Sequence, residues 1–137
     1  MKVIDGTNMV LGRLATKAAK LAILGEEVRI INAEKVVVVG RKKFVLDNYR
    51  RKYIRGTSVG GPFILRGPDR LVRRCIRGMI PYKTPNGKEA YARVLCYVGN
   101  PSNEKANETV DADITNTENL NYVLIEDISK HLGAKTE

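Results

Sequence analysis

The sequence predicts an α/β fold: a small, mostly parallel sheet covered by helices, with an appended C-terminal arm carrying a short helix. Three observations support this. Strand and helix signals alternate over residues 1–31, four valines run together at Val36–Val39, and a basic, periodic body gives way to an acidic, weakly periodic tail after Asn100-Pro101. Alternation of strand and helix is the pattern of βαβ units. A β-branched run without polar interruption fits a strand buried on both faces, as in a helix-covered parallel sheet.

Val3-Ile4-Asp5 reads as a strand and Gly6-Thr7-Asn8 as a turn. Leu11 to Leu24 has helical periodicity and stops at Gly25, a residue suited to the left-handed position after a helix. At about 100° per residue, Leu11, Leu14, Ala15, Ala18, Ala19, Leu21 and Ala22 share one face, with Arg13, Lys17 and Lys20 opposite. Val28–Ile31 returns as a strand, Asn32–Lys35 interrupts, and Val36–Val39 follows, closed by Gly40. Arg41 to Ile54 is predicted helical, with Val45, Tyr49 and Tyr53 on one side and core packing expected for both tyrosines.

Arg55 to Gly67 holds four glycines and one proline, which favours an extended ordered loop over a helix. Pro68 then suits the first turn of a helix running to Met79, before Pro81. On its wheel Arg70, Arg73, Arg74 and Arg77 fall within an arc of about 100°, opposite Leu71, Val72, Cys75, Ile76 and Met79. Lys83–Gly87 reads as a turn, Lys88–Arg93 as a short helical stretch and Val94–Val98 as the last core strand. Ser102 to Asn121 is polar and acidic, and Tyr122 to Leu132 is expected to be a terminal helix capped by Gly133. The expected organisation is a compact basic domain over 1–101 and an acidic extension over 102–137, packed on or beside it.

The 137 residues include 24 Lys plus Arg, 15 Asp plus Glu, one His, two Cys and no Trp, for a net charge of +9. A chain of this length and composition is globular and should bury roughly two thirds of its unfolded surface. No run of 18 uncharged apolar residues occurs and the first residues lack an apolar signal core, so a soluble intracellular protein is expected. Cys75 and Cys96 are too few and too far apart for a structural zinc site and are expected to be small buried hydrophobes. His131 fits the end of the terminal helix.

The charge is concentrated. Residues 1–40 carry six basic and four acidic groups (+2), residues 41–93 fifteen and three (+12), and residues 94–137 three and eight (−5). Asymmetry of this size concerns partners. The glycines near Gly6 do not form G-x-G-x-x-G, and no Gly-Lys-Ser/Thr ending is present, so a nucleotide-binding enzyme is the weaker alternative. A protein-interaction module using the acidic tail is another. Four arginines on one arc would repel each other on an ordinary solvated face, whereas guanidinium groups fork onto phosphate oxygens. The stripe therefore points to the phosphates of a nucleic acid. Arg41-Lys42-Lys43 and Arg50-Arg51-Lys52 extend the basic character, and Gly60-Gly61-Pro62 would let backbone approach a sugar-phosphate chain.

Several blocks together resemble ribosomal protein thirteen of the large subunit, in its archaeal and eukaryotic form. They are Asp5-Gly6-Thr7, Leu11-Gly12-Arg13-Leu14-Ala15, Ile31-Asn32-Ala33-Glu34-Lys35-Val36 with Gly40, Arg77-Gly78-Met79-Ile80-Pro81 and Tyr97-Val98-Gly99. Gly61-Pro62-Phe63, Arg66-Gly67-Pro68 and Pro81-Tyr82-Lys83-Thr84 favour that branch over the bacterial one. The resemblance implies a three-layer α/β/α fold, binding to large-subunit ribosomal RNA beside neighbouring ribosomal proteins, no catalysis, and an early structural role in subunit assembly. No cofactor, small-molecule substrate, membrane or homo-oligomer is expected, and the location is the cytoplasmic ribosome. Arg13, Lys35, Arg74, Arg77 and Lys83 match the family's cations. With Lys17, Lys20, Arg41, Lys42, Lys43, Arg50, Arg51, Arg55, Arg66, Arg70, Arg73 and Arg93 they form the expected RNA-binding set. Removing Arg73 and Arg77 together is expected to weaken RNA binding while leaving the melting temperature nearly unchanged.

Overall fold

The computed structural model describes residues 1–114 and 121–135; the expected polar arm therefore has positions 115–120, and the tail positions 136–137, outside the described residues. The opening βαβ unit forms as the pattern requires. β1 (Lys2–Asp5) and β2 (Val28–Ile31) pair in parallel, with Lys2 opposite Val28 and Asp5 opposite Ile31, joined by α1 (Leu11–Ile23). β4 (Val94–Cys96) adds to β2, also in parallel, giving the order β1-β2-β4. Leu11, Leu14, Ala15, Ala18, Ala19 and Ala22 bury the predicted face of α1. Four alanines among them leave room for close packing on its neighbours, α3 (Pro68–Met79) and α4 (Pro85–Ala92). Gly25, at φ +99°, ends the helix as expected.

The valine run departs from expectation. Only Val37–Val39 forms a strand, β3, and it pairs antiparallel with β5 (Tyr122–Leu124) instead of joining the parallel sheet. Val36 and Val37 are fully buried, but Val39 is 40% exposed, so the strand is not covered on both faces. Apolar content alone could not separate a sandwiched strand from a segment that dips into the core and leaves it. The small sheet is mostly parallel and the fold α/β, with this antiparallel ribbon beside it.

Two other boundaries move for local reasons. α4 begins at Pro85, not Lys88, because Thr84 caps it: its Oγ1 accepts from the Gly87 N–H at 3.1 Å, and Pro85 takes the first helical position. Asn86-Gly87 resembles a turn in sequence, yet Gly87 is there for packing, since a Cβ would lie 1.8 Å from the Pro81 carbonyl oxygen. The predicted helix over Tyr122–Leu132 is β5 followed by α5 (Ile125–His131), which starts where Glu126 and Asp127 supply first-turn acids. The last predicted core strand stops at Cys96 and is not the last strand, because β5 follows.

One core unites these elements. Ile4, Leu14, Val28 and Ile30 of the βαβ unit cluster with Val72 and Ile76 of α3 and with Val123, Ile125, Ile128 and Leu132 near the C-terminus. α2 (Lys42–Ile54) contributes Val45, with Tyr49 and Tyr53 packed against the cluster as expected. The acidic segment runs along the outer edge of β1. Asn107 Oδ1 accepts from the Val3 N–H at 2.7 Å, and the Asn107 and Glu108 N–H groups donate to the Val3 carbonyl at 3.0 and 3.2 Å. This covers an otherwise unpaired strand edge.

Candidate nucleic-acid interface

α3 is the most strongly amphipathic element, and its two sides have separate fates. Leu71, Val72 and Ile76 are buried, while the four arginines line an open cleft of about 150 Å³ with Phe63, Leu65 and Tyr91. The loop over residues 55–67 is not extended throughout: it first folds into a tight turn bridged between Thr57 and Gly61, and only residues 62–66 run on beside α3 without a turn, where side chains can alternate sides. Ile64 accordingly packs on the core, leaving Phe63 66% and Leu65 53% exposed beside the guanidinium groups.

The arginines are not equivalent. Arg73 is fixed: its Nε donates to the Val94 carbonyl at 3.0 Å, and its guanidinium lies over the Tyr91 ring, 4.4 Å from the centroid. Arg77 lies over Tyr82 at 4.9 Å. Arg70 has Asp69 at 3.6 Å, so the arc is not free of carboxylate at its first turn. Among the described residues no ion pair involves Arg74 or Arg77. The expectation that Arg73 can be removed without loss of stability is revised, because Arg73 ties α3 to β4.

α2 presents Lys42, Lys43, Arg50, Arg51 and Lys52 to solvent, preceded by exposed Arg41 and followed by exposed Arg55. Lys52 stands over Tyr49 at 5.4 Å and Arg66 over Tyr53 at 5.8 Å. The tyrosines thus serve the core and at the same time position cations at its rim. The Arg66 carbonyl also accepts from the buried Ser129 hydroxyl at 2.7 Å, which anchors the loop on α5.

The remaining predicted cations lie outside the cleft. Arg13 and Lys20 are exposed on α1, Lys35 is exposed at the end of the short 3₁₀ turn Ala33–Lys35, and Lys83 is exposed between α3 and α4. Lys17 is engaged internally, 3.1 Å from Glu108. Arg93 is also engaged: it donates to the Ala22 carbonyl at the end of α1 (3.3 Å) and pairs with Glu89 at 3.6 Å. Phe63, Leu65, Tyr82 and Tyr91 are the members of this surface that the sequence reading missed. The consecutive apolar residues Phe63-Ile64-Leu65, which cannot all face the core from an extended stretch, were the available signal, masked by the surrounding glycines.

Both thiols are free and protonated in character. Burial pushes Cys75 up, and pushes Cys96 up to about 12 despite the Arg73 charge beside it. Neither is a nucleophile at neutral pH. Gly6, in the turn after β1, is a packing glycine: a Cβ there would sit 2.7 Å from Val36 Cγ2 and 3.1 Å from the Ile31 carbonyl oxygen.

Comparison with known proteins decides the family. The family model described as Ribosomal protein L13 matches residues 1–103. The large ribosomal subunit protein uL13 of Methanocaldococcus jannaschii is 42% identical over 139 aligned positions, covering 98% of this chain and 99% of the relative. That of Methanococcoides burtonii is 41% identical with the same coverage, and that of Archaeoglobus fulgidus 36% identical, covering 96% and 86%. The chain belongs to the ribosomal protein L13 family. It is a large-subunit ribosomal protein of archaeal type, and L13 proteins are structural components and not enzymes.

Three of the sequence blocks that carried the L13 resemblance, Asp5–Thr7, Asn32–Lys35 and Tyr97–Gly99, meet at the C-terminal ends of the parallel strands. Asp5 Oδ1 accepts from the Thr7 N–H (3.0 Å), the Thr7 hydroxyl (2.7 Å) and the Asn32 side-chain amide (2.9 Å). Burial acts to raise the Asp5 pKa, but these donors and the Lys35 charge outweigh it and hold the carboxyl below its usual value. Asn32, at φ +55°, donates its N–H to the Gly99 carbonyl, while Glu34 accepts from the Gly99 N–H at 3.0 Å. These L13 blocks are therefore the joint of the scaffold. The cationic surface is built elsewhere, from α2, α3 and the loop between them.

Proposed function

We propose that this L13-family protein binds and stabilises folded large-subunit ribosomal RNA, beside neighbouring ribosomal proteins, and acts early in subunit assembly in the cytoplasm. The observation that carries the proposal is the one-sided cationic surface of α2, the 55–67 loop and α3, where guanidinium groups line a cleft and Arg74 and Arg77 have no carboxylate partner among the described residues. Phosphate contacts from Arg41, Lys42, Lys43, Arg50, Arg51, Arg55, Arg66, Arg70, Arg74 and Arg77 form its centre. Arg13, Lys20, Lys35 and Lys83 add a periphery, and Arg73, Arg93 and Lys17 contribute mainly by holding structure. In this proposal residues 1–101 carry the RNA surface and residues 102–137 form an acidic extension that completes the shared core. The protein acts as a monomer within the ribosome.

Phosphate-dominated binding releases counterions, so affinity falls with salt by a slope of about 0.7–0.9 per neutralised phosphate. Titration of the full chain with large-subunit ribosomal RNA across a salt series tests this. A steep slope that becomes shallower when α2 and α3 cations are removed supports the proposal; salt-independent binding, or none, contradicts it.

A further inference from the structure

We infer that the cleft beside α3 takes one unpaired nucleotide, with its base against Phe63 and its phosphates on the surrounding arginines; this rests on the RNA-binding function proposed above and specifies the ligand of that same surface. Three features support a ring over a phosphate alone. First, Phe63 is an aromatic side chain with 66% of its surface exposed, its ring lying beside Gly61 at the mouth of the cleft. Leaving a ring of this kind in water forgoes its burial energy. Second, Arg73 is held rigid by the Val94 carbonyl and backed by the Tyr91 ring, which makes a fixed flat plate within the same cleft as Phe63. Bases stack on aromatic rings and on guanidinium planes. Third, the cleft, about 150 Å³, is open to solvent and lined by both apolar side chains and guanidinium groups, so a flat ring can enter edge-on with its phosphates left at the rim.

The charge around the cleft then selects the ligand. Arg70, Arg74 and Arg77 line it together with the two exposed apolar side chains Phe63 and Leu65. A paired base cannot reach Phe63 without leaving its stack, whereas a bulged or loop nucleotide offers both its ring faces and its flanking phosphates. Duplex RNA would meet only the arginines.

The test uses the full chain, a short single-stranded RNA carrying one 2-aminopurine, and the duplex formed by that strand with its complement. Base–aromatic stacking is large enough that Phe63→Ala should weaken single-strand binding about 5-fold or more. The same variant should leave duplex binding within about twofold, and Phe63→Tyr should restore the single-strand affinity. The 2-aminopurine emission should be quenched on binding the unaltered protein and not on binding Phe63→Ala. If Phe63→Ala leaves single-strand affinity and quenching unchanged, or weakens both RNAs equally, the base-binding inference is wrong while RNA binding stands. If neither RNA binds saturably, the RNA-binding function itself fails; if both bind but Arg74→Ala leaves their affinity and salt slope unchanged, the cleft is not the binding surface and the inference is wrong while RNA binding stands.

Discussion

Two cationic regions of this molecule show how neighbouring acids determine what a basic residue is available to do. On the β1 side, Lys2 and Lys17 pair with Glu108 at 3.2 and 3.1 Å, and Arg29 pairs with Glu104. Hydrogen bonds from Lys17 and then Lys2 hold the Glu108 carboxyl below its usual range. Across the molecule, the cations of α2 and most of those on α3 have no such partner among the described residues. The acidic segment thus neutralises one face with its own carboxylates and leaves the cations of the other without an internal counter-charge among the described residues. Under the proposed function, this internal pairing is what selects the face that meets the RNA.

The largest effect should come from deleting the open face. Arg70→Ala, Arg74→Ala and Arg77→Ala combined should weaken ribosomal RNA binding at least about 100-fold, from the loss of three charge-assisted contacts. The salt slope should become shallower by about 2, with little change in melting temperature. Arg73→Ala should behave differently because it also removes the tie to Val94 and the stack on Tyr91. A loss of about 2 kcal/mol, seen as a melting temperature lower by roughly 5–10 °C, separates this structural arginine from its neighbours. A stability equal to the unaltered protein would erase the distinction.

Glu104→Gln with Glu108→Gln should open the closed face. Lys2, Lys17 and Arg29 would be unpaired, and the salt slope for RNA should steepen by up to about 2 if they engage phosphates. Acid should have a related effect: a carboxyl whose pKa is lowered by folding stabilises above its unfolded value of 4.5 and loses that contribution as pH falls through the lower folded value. Protection of the Asn107 and Glu108 amides, which bond to Val3, measured relative to their intrinsic exchange rates at each pH, should therefore fall below that range before protection in β2 does. The smallest effect is expected for Lys17→Ala, which should change RNA affinity less than about twofold because exposed ion pairs contribute little and the charge is already partnered. A loss comparable to that of an α3 arginine would show that Glu108 does not neutralise it.

The α3 helix was legible from end to end because its signals agree: Pro68 at the start, opposed apolar and cationic arcs, and Pro81 beyond the end. β2 was equally clear, as a tetrapeptide with three β-branched apolar residues between polar turns. The antiparallel pairing of β3 with β5 was not, since Val37 and Leu124 are 87 positions apart and local pattern carries no information on such a partner. Helical spacing in Tyr122–Leu132 hid a three-residue strand at its start, and the Asn86-Gly87 pair hid the first turn of α4. Within the interface, charge located the arginines. It could not show that Arg73 and Arg93 donate to backbone carbonyls 21 and 71 positions away, or that Glu108 returns to Lys17.

The central claim is that the open face neutralises phosphate and the closed face does not. It is tested most directly by the salt slope of large-subunit ribosomal RNA binding, measured for the unaltered protein, the Arg70/Arg74/Arg77 triple alanine variant and a Lys2/Lys17/Arg29 triple alanine variant. A slope shallower by about 2 for the first triple and nearly unchanged for the second is the predicted result. Equal reductions in the two, or a reduction confined to the Lys2/Lys17/Arg29 variant, would contradict the account.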